Sequence, residues 1–248
     1  MQSVTLSNGV KMPVIGYGTL QITDPAQCRQ CVGNALACGY RLVDTAAAYG
    51  NERAVGDAIK TCGVPREELF IITKLWVQDT GYDNTLKAFE TSRKNLGLDY
   101  IDLYLIHQPF GDYYGAWRAM EKLYASGAVR AIGVSNFSAE RLVDLCMNQK
   151  VKPMVNQIEL HPFYQQAEAL KVMALYGVVP QAWGPLAEAQ KHIFEQKTLV
   201  KIAASHEKTV AQVVLRWHYQ RGVPTIPKTI CQERMAENLD IFGFSLCE

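Results

Sequence analysis

Eight short apolar segments recur along the chain, most of them separated by longer stretches with helical periodicity. They are VIGYG (14–18), RLVD (41–44), FIITK (70–74), IDLYLIH (101–107), AIGVSN (131–136), MVNQIE (154–159), VVPQAW (178–183) and VPTIPK (223–228). They are rich in Val, Ile and Leu, the pattern of parallel strands buried on both faces. Between them lie amphipathic stretches such as AQCRQCVGNALACGY, TLKAFETSRKNLGL, YGAWRAMEKLYASG and ERLVDLCMNQK. Gly39, Gly63, Gly97 and Gly127 follow helical stretches, where a helix commonly ends in the left-handed conformation. Strand–helix alternation implies parallel strands with crossover helices, and eight units point to a closed (β/α)8 TIM barrel of the α/β class. An open sheet that binds a dinucleotide usually shows GxGxxG after its first strand, and here only Gly16-Tyr17-Gly18 stands there. Ahead of the first strand, VTL and VKM flank Asn8-Gly9, which predicts an N-terminal β-hairpin with a type I′ turn.

The length of 248 residues suits a single large domain over 1–248. The formal net charge is +1, and no Lys/Arg-rich block tracks phosphates, so nothing in the charge argues for nucleic acid or an anionic membrane. No apolar run is long enough to span a bilayer, and MQSVTLSNGV lacks the pattern of a signal peptide. Seven cysteines without framework spacing are expected to be reduced thiols of a cytoplasmic protein. Cys28 and Cys31 form a CxxC with no second pair, and are expected to be two thiols on a helix. His161, His192, His206 and His218 lack metal-ligand spacing, and no catalytic metal is expected.

In a barrel of this kind the functional face is built from the C-terminal ends of the strands. The second strand ends in Asp44, the third in Lys74 and the fourth in His107. The fifth ends in Ser135-Asn136, the sixth carries Asn156-Gln157, and the eighth ends in Lys228. An acid, a base and an imidazole on three successive strand ends are hard to explain by folding alone.

The motifs around them occur in a set order: DTAAAYGNE (44–52), ITKLW (72–76), LIHQP (105–109), GVSNF (133–137), NQIELHP (156–162) and IPKTICQERMAEN, which ends at Asn238. Together they resemble the aldo-keto reductase family, from the hairpin to nearly the end of the chain. HQPFGDYYGAW and QAWGPLA look closest to the bacterial members allied to 2,5-diketo-gluconate reductase. The resemblance implies an NADPH-dependent reductase of aldehydes or ketones with a catalytic tetrad of Asp44, Tyr49, Lys74 and His107. The chemistry is consistent with these residue types. Hydride addition to a carbonyl carbon leaves negative charge on oxygen, which a proton or fixed donors must meet. A free phenol has a pKa of about 10, and the Lys74 ammonium is expected to lower that of Tyr49. Asp44 would hold Lys74, and His107 would orient the substrate oxygen.

The resemblance also implies a nicotinamide cofactor across the barrel mouth. Ser135, Asn136 and Gln157 would hold the carboxamide, since a side-chain amide both donates and accepts. Trp183 would stack on the ring, while Thr19 and the segment Gly184 to Leu186 line the ribose and pyrophosphate path. Lys228, Thr229 and Arg234 lie near a helix start and suit the 2′-phosphate that distinguishes NADPH from NADH. Glu237 and Asn238 would flank the adenine. Trp76 and Phe110, with Tyr113, Tyr114 and His107, are candidates to line the substrate pocket. Leu20 and Gln108 stand where many family members carry tryptophan, so the pocket is less aromatic on that side.

The chain ends at FGFSLCE, where the family continues with a further helix and a tail over the substrate pocket. Either the protein is naturally short or this chain omits its tail; if the tail is missing, selectivity is expected to suffer more than basic chemistry. The family suggests a monomer. Two other readings stand beside the main one. The first is an NADP(H)-sensing, weakly active regulatory subunit of the same fold. The second is a phosphate-substrate isomerase, whose phosphate site at the last barrel loops Lys228 could mimic.

Overall fold

The computed structural model describes residues 2–247. Ser3–Thr5 (β1) pairs antiparallel with Lys11–Pro13 (β2), giving the expected hairpin. Its turn is not type I′, which needs positive φ at both central residues. Gly9 has a φ of 86° but Asn8 stays out of the positive region. The Gly9 N–H donates to Leu6 O (2.9 Å) and the Leu6 N–H to Val10 O (2.8 Å), closing a three-residue loop with glycine in the left-handed position. The Asn8 side chain donates to Arg130 O (2.9 Å) and to the Tyr124 hydroxyl (3.2 Å). A tertiary anchor thus prevails over the local turn preference.

The barrel elements follow in order. They are Tyr17–Gly18 (β3), Pro25–Cys38 (α1), Leu42–Asp44 (β4), Glu52–Thr61 (α2), Phe70–Leu75 (β5), Tyr82–Leu96 (α3), Ile101–Ile106 (β6) and Tyr113–Ala125 (α4). Then come Val129–Ser135 (β7), Ala139–Asn148 (α5), Val155–Glu159 (β8), Ala167–Tyr176 (α6), Val179–Trp183 (β9), Lys197–Ser205 (α7), Val210–Gln220 (α8) and Gln232–Leu239 (α9). β3 to β9 form one parallel sheet in sequence order. Every residue of β5 and β6 is buried, as in a strand covered on both faces.

The eighth predicted strand, VPTIPK, makes no ladder of its own. Thr225 bridges to Ile15 on one side and to Ala182 on the other. Pro224 and Pro227 lack an N–H and cannot sustain a ladder. Their carbonyls still accept, from Ala182 N–H (2.8 Å) and Gly18 N–H (3.1 Å). The segment therefore closes the barrel by isolated bonds to both edges. Gly18 permits that closure, because a Cβ there would lie 2.9 Å from Ile226 O.

Helix ends follow the local chemistry. Asp24 caps α1 by accepting from Gln27 N–H, and Pro25 occupies the first turn. Thr209 and Gln212 form a reciprocal capping box on α8. Gly39, Gly63, Gly97 and Gly127 all take positive φ at or just past helix ends. Cys28 and Cys31 are buried, unpaired thiols on α1. Among the described residues no helix is long and apolar enough to cross a membrane.

Candidate active site

The parallel sheet delivers four side chains to one rim. Asp44 is the last residue of β4, Lys74 is next to last in β5, and His107 follows β6 directly. Tyr49 is carried by the short 3-10 turn Ala47–Tyr49 between β4 and α2. Asp44 and Lys74 are buried, and the Lys74 ammonium donates to Asp44 Oδ1 (2.5 Å), Thr45 O (3.0 Å) and the Tyr49 hydroxyl (3.4 Å). All three of its protons are thereby engaged. The Tyr49 ring lies edge-on to His107 at 5.6 Å between centroids, and Trp76 also packs edge-on against His107, at 5.1 Å.

The electrostatics differ from the sequence expectation at one point. Lys74 does pull the Tyr49 phenol towards ionisation, but burial acts the other way and is larger, so its pKa stands above the ordinary value. Tyr49 is a neutral phenol with a proton to give. Burial alone would depress Lys74, yet the charge of Asp44, Tyr49 and the hydrogen bonds to both outweigh it and hold the ammonium. His107 is pushed down to about 3, first by burial and then by the Lys74 charge. Its imidazole is neutral at physiological pH. The Nδ1 is buried without a partner, which leaves Nε2 as the open ring nitrogen.

A polar network continues along the rim. Asn136, just past β7, sits at φ 63°, a left-handed conformation that asparagine tolerates better than most residues. It is held by bonds from its Nδ2 to His107 O (2.9 Å) and Ser135 Oγ (3.2 Å), and from Trp183 Nε1 to its Oδ1 (2.8 Å). Ser135 Oγ donates to Gln157 O (2.9 Å). Gln157 Nε2 donates to Asp44 Oδ2 and to Gln181 Oε1, both at 2.8 Å. Both hydrogens of this amide are engaged within the protein, so towards a ligand Gln157 offers only its Oε1 acceptor, not the two-way bonding expected from its residue type.

The remaining candidates are more scattered. Thr19 is buried, its hydroxyl donating to Asp44 O (2.9 Å). Gly184 and Leu186 are half-buried just past β9. Lys228 and Arg234 are exposed, and neither forms an ion pair among the described residues. Thr229 Oγ accepts from Cys231 N–H (3.2 Å), at the start of α9. Glu237 accepts from the Thr209 hydroxyl (2.7 Å), and Asn238 is buried on α9. Phe110 is 59% exposed and Leu20 is 39% exposed. Tyr113 stacks on Tyr114, whose hydroxyl donates to Asp144 of α5.

Sequence reasoning does not single out Thr45, Asn51 or Gln181. Thr45 and Asn51 lie inside DTAAAYGNE, and Gln181 is a lone amide inside an apolar strand. A buried polar group needs a partner, and that is the signal that would have found them.

The profile of the Aldo/keto reductase family matches residues 14–248. The chain belongs to that family. It is an oxidoreductase of a family that acts on carbonyl compounds. The glyoxal reductase of Bacillus subtilis (strain 168) is 49% identical over 247 residues, covering 99% of this chain and 89% of its own. The crystal structure of an aldo/keto reductase from Brucella melitensis superposes with a TM-score of 0.95 at 45% identity, over 99% of this chain and 95% of that one. An aldo-keto reductase from Bombyx mori, solved in complex with NADP, gives a TM-score of 0.94 at 35% identity, over 99% and 89%. These likenesses agree with a (β/α)8 barrel preceded by a hairpin.

Proposed function

We propose that the chain reduces a small aldehyde or ketone to an alcohol with NADPH, and that Tyr49 is the general acid. The observation that carries this reading is the contact between the Tyr49 hydroxyl and a buried, charged Lys74 beside a neutral imidazole. A bound reduced nicotinamide supplies the hydride. The chain's own residues do the rest. His107 offers one N–H to the substrate oxygen and keeps it over Tyr49. Tyr49 gives its proton to that oxygen as negative charge develops, and Lys74 stabilises the phenolate that remains. Asp44 keeps Lys74 charged and in place. Trp76 and Phe110 would line the substrate side.

The residues present fit the cofactor. The Trp183 indole is anchored through its edge to Asn136, which suits it for stacking on a planar ring. Ser135, Asn136 and Gln157 border the same rim, and the Gln157 Oε1 suits the N–H of a carboxamide. Thr19, Gly184 and Leu186 would border the path of the ribose and pyrophosphate. Lys228, Thr229 and Arg234 offer a hydroxyl and two cations without ion pairs among the described residues to a 2′-phosphate, with Glu237 and Asn238 towards the adenine. The likeness to the Bombyx mori enzyme, solved with NADP, supports the choice. We take the protein to act as a cytoplasmic monomer.

The test is NADPH oxidation by the chain against small aldehydes, α-ketoaldehydes and sugar ketones, with NADH in parallel. Turnover that favours NADPH is expected. Binding without turnover would support the NADP(H)-sensing reading instead. Failure to bind NADPH would overturn the assignment and favour the isomerase.

A further inference from the structure

The loop that carries Tyr49 is closed at its base by two side chains with no role in the mechanism above. The Thr45 hydroxyl donates to Asn51 Oδ1 (2.7 Å), tying together the residues on either side of the Tyr49 turn. Asn51 Nδ2 donates to Thr19 O (3.0 Å) and Ile22 O (3.3 Å), which fastens that closure to the loop after β3. Thr45 and Asn51 are both buried, so these bonds form away from water. The Thr45 carbonyl is also one of the three acceptors around the Lys74 ammonium. The next residue, Glu52, accepts from the Thr73 hydroxyl (2.7 Å) and so grips β5 beside Lys74.

We propose that Asn51, acting through Thr45, is a positioning residue that sets Lys74 against the Tyr49 hydroxyl for proton donation. The inference rests on Tyr49 being the acid. Asn51 touches neither substrate nor any reacting atom. Its amide is used in full: the oxygen accepts from one hydroxyl and the two hydrogens go to two carbonyls. An aspartate of the same shape would turn carboxylate oxygen towards those carbonyls, which is repulsive. The residue type is thus dictated by the closure rather than by packing. The titratable groups that face Tyr49 are Lys74 of β5, Asp44 of β4 and the neutral His107 after β6. A shift of Lys74 is therefore readable in the ionisation of Tyr49.

The experiment compares Thr45→Val, Asn51→Asp and Thr45→Ser with the unaltered chain, using NADPH and methylglyoxal. Misplacing a reacting group by about an ångström can lower a rate by roughly a hundredfold, so Thr45→Val and Asn51→Asp should lose about 10- to 100-fold in kcat. The KM for methylglyoxal should change far less. The alkaline break in the kcat profile should move upward, because Tyr49 loses part of the pull of Lys74. Thr45→Ser, which restores the hydroxyl, should recover most of the rate lost in Thr45→Val. A purely structural role would lower Tm and leave the break where it was. Should Thr45→Val fail to fold, Asn51→Asp preserves the volume and carries the test. Unchanged kcat and pH profile in the folded variants would overturn the proposal. No turnover in the unaltered chain, or full turnover in Tyr49→Phe, would instead overturn the reading of Tyr49 and take the clamp with it.

Discussion

Asp44 closes β4 at one end of the barrel, and Asp102 lies one residue into β6 at the other. Both are buried, and both pair with cations, yet their surroundings differ in kind. Asp102 accepts from Arg66 (2.6 Å), Arg130 (2.7 Å) and the Ile71 N–H (2.9 Å), and its arginines reach solvent, with side chains 22% and 41% exposed. Arg66 also lies over the Tyr100 ring at 4.1 Å. The Asp102 carboxylate is thereby satisfied by three donors, as befits the stabilising end of a barrel. Asp44 instead holds a fully buried lysine whose third proton points at a phenol beside an imidazole with an unpartnered nitrogen. The same ion-pair chemistry serves the fold where the carboxylate is matched by donors whose cations reach solvent. It serves reaction chemistry where one bond is left for something else.

Breaking each pair should separate those roles. Lys74→Met leaves Asp44 buried without its cation, which costs about 3–5 kcal/mol in comparable buried pairs, and it also removes the support of Tyr49. Denaturant unfolding and NADPH-dependent turnover should both collapse. Asp102→Asn should cost about 2–3 kcal/mol by weakening charge-assisted hydrogen bonds, while kcat per folded molecule stays close to that of the unaltered chain. An equal loss of activity in Asp102→Asn would erase the distinction.

The cations sharpen the comparison further. Arg66 and Arg130 are engaged by Asp102, whereas Lys228 and Arg234 are exposed and without ion pairs among the described residues. Arg234→Ala should therefore weaken NADPH by about tenfold or more, as expected for one charge-assisted bond, and leave NADH almost unaffected. Titration with both cofactors checks it, and equal losses would argue against the 2′-phosphate assignment.

The smallest effect is in stability against pH. His107 and His218 are both pushed down to about 3, chiefly by burial. Between pH 6.5 and 3 the unfolded chain binds protons at these positions and the folded chain does not. Stability should then fall as pH drops through that window, by at most about 1.4 kcal/mol per pH unit for each histidine. Urea unfolding at stepped pH reads the slope, and His218→Leu should make it shallower.

Much of this was legible in the residues. The eight apolar segments mark the barrel because parallel strands cannot hide their composition, and the ordered motifs mark the rim. The departures arise where tertiary contacts override local preference. Asn8 reaches Arg130 rather than taking the left-handed turn position. Prolines reduce the closing strand to isolated bridges. The shift of Tyr49 depends on how deeply the phenol is buried, which no motif encodes. Thr45, Asn51 and Gln181 emerge only when hydrogen-bond partners can be traced from strand to strand.

The most direct measurement sets Tyr49→Phe beside the unaltered chain, with carbonyl reduction and NADPH binding read on the same samples. Loss of a general acid should lower kcat by roughly 10²- to 10⁴-fold, with the NADPH dissociation constant nearly unchanged. Undiminished turnover would contradict the account, because the proton would then come from elsewhere. Loss of NADPH binding along with activity would contradict it too, by assigning Tyr49 to the cofactor rather than to the substrate oxygen.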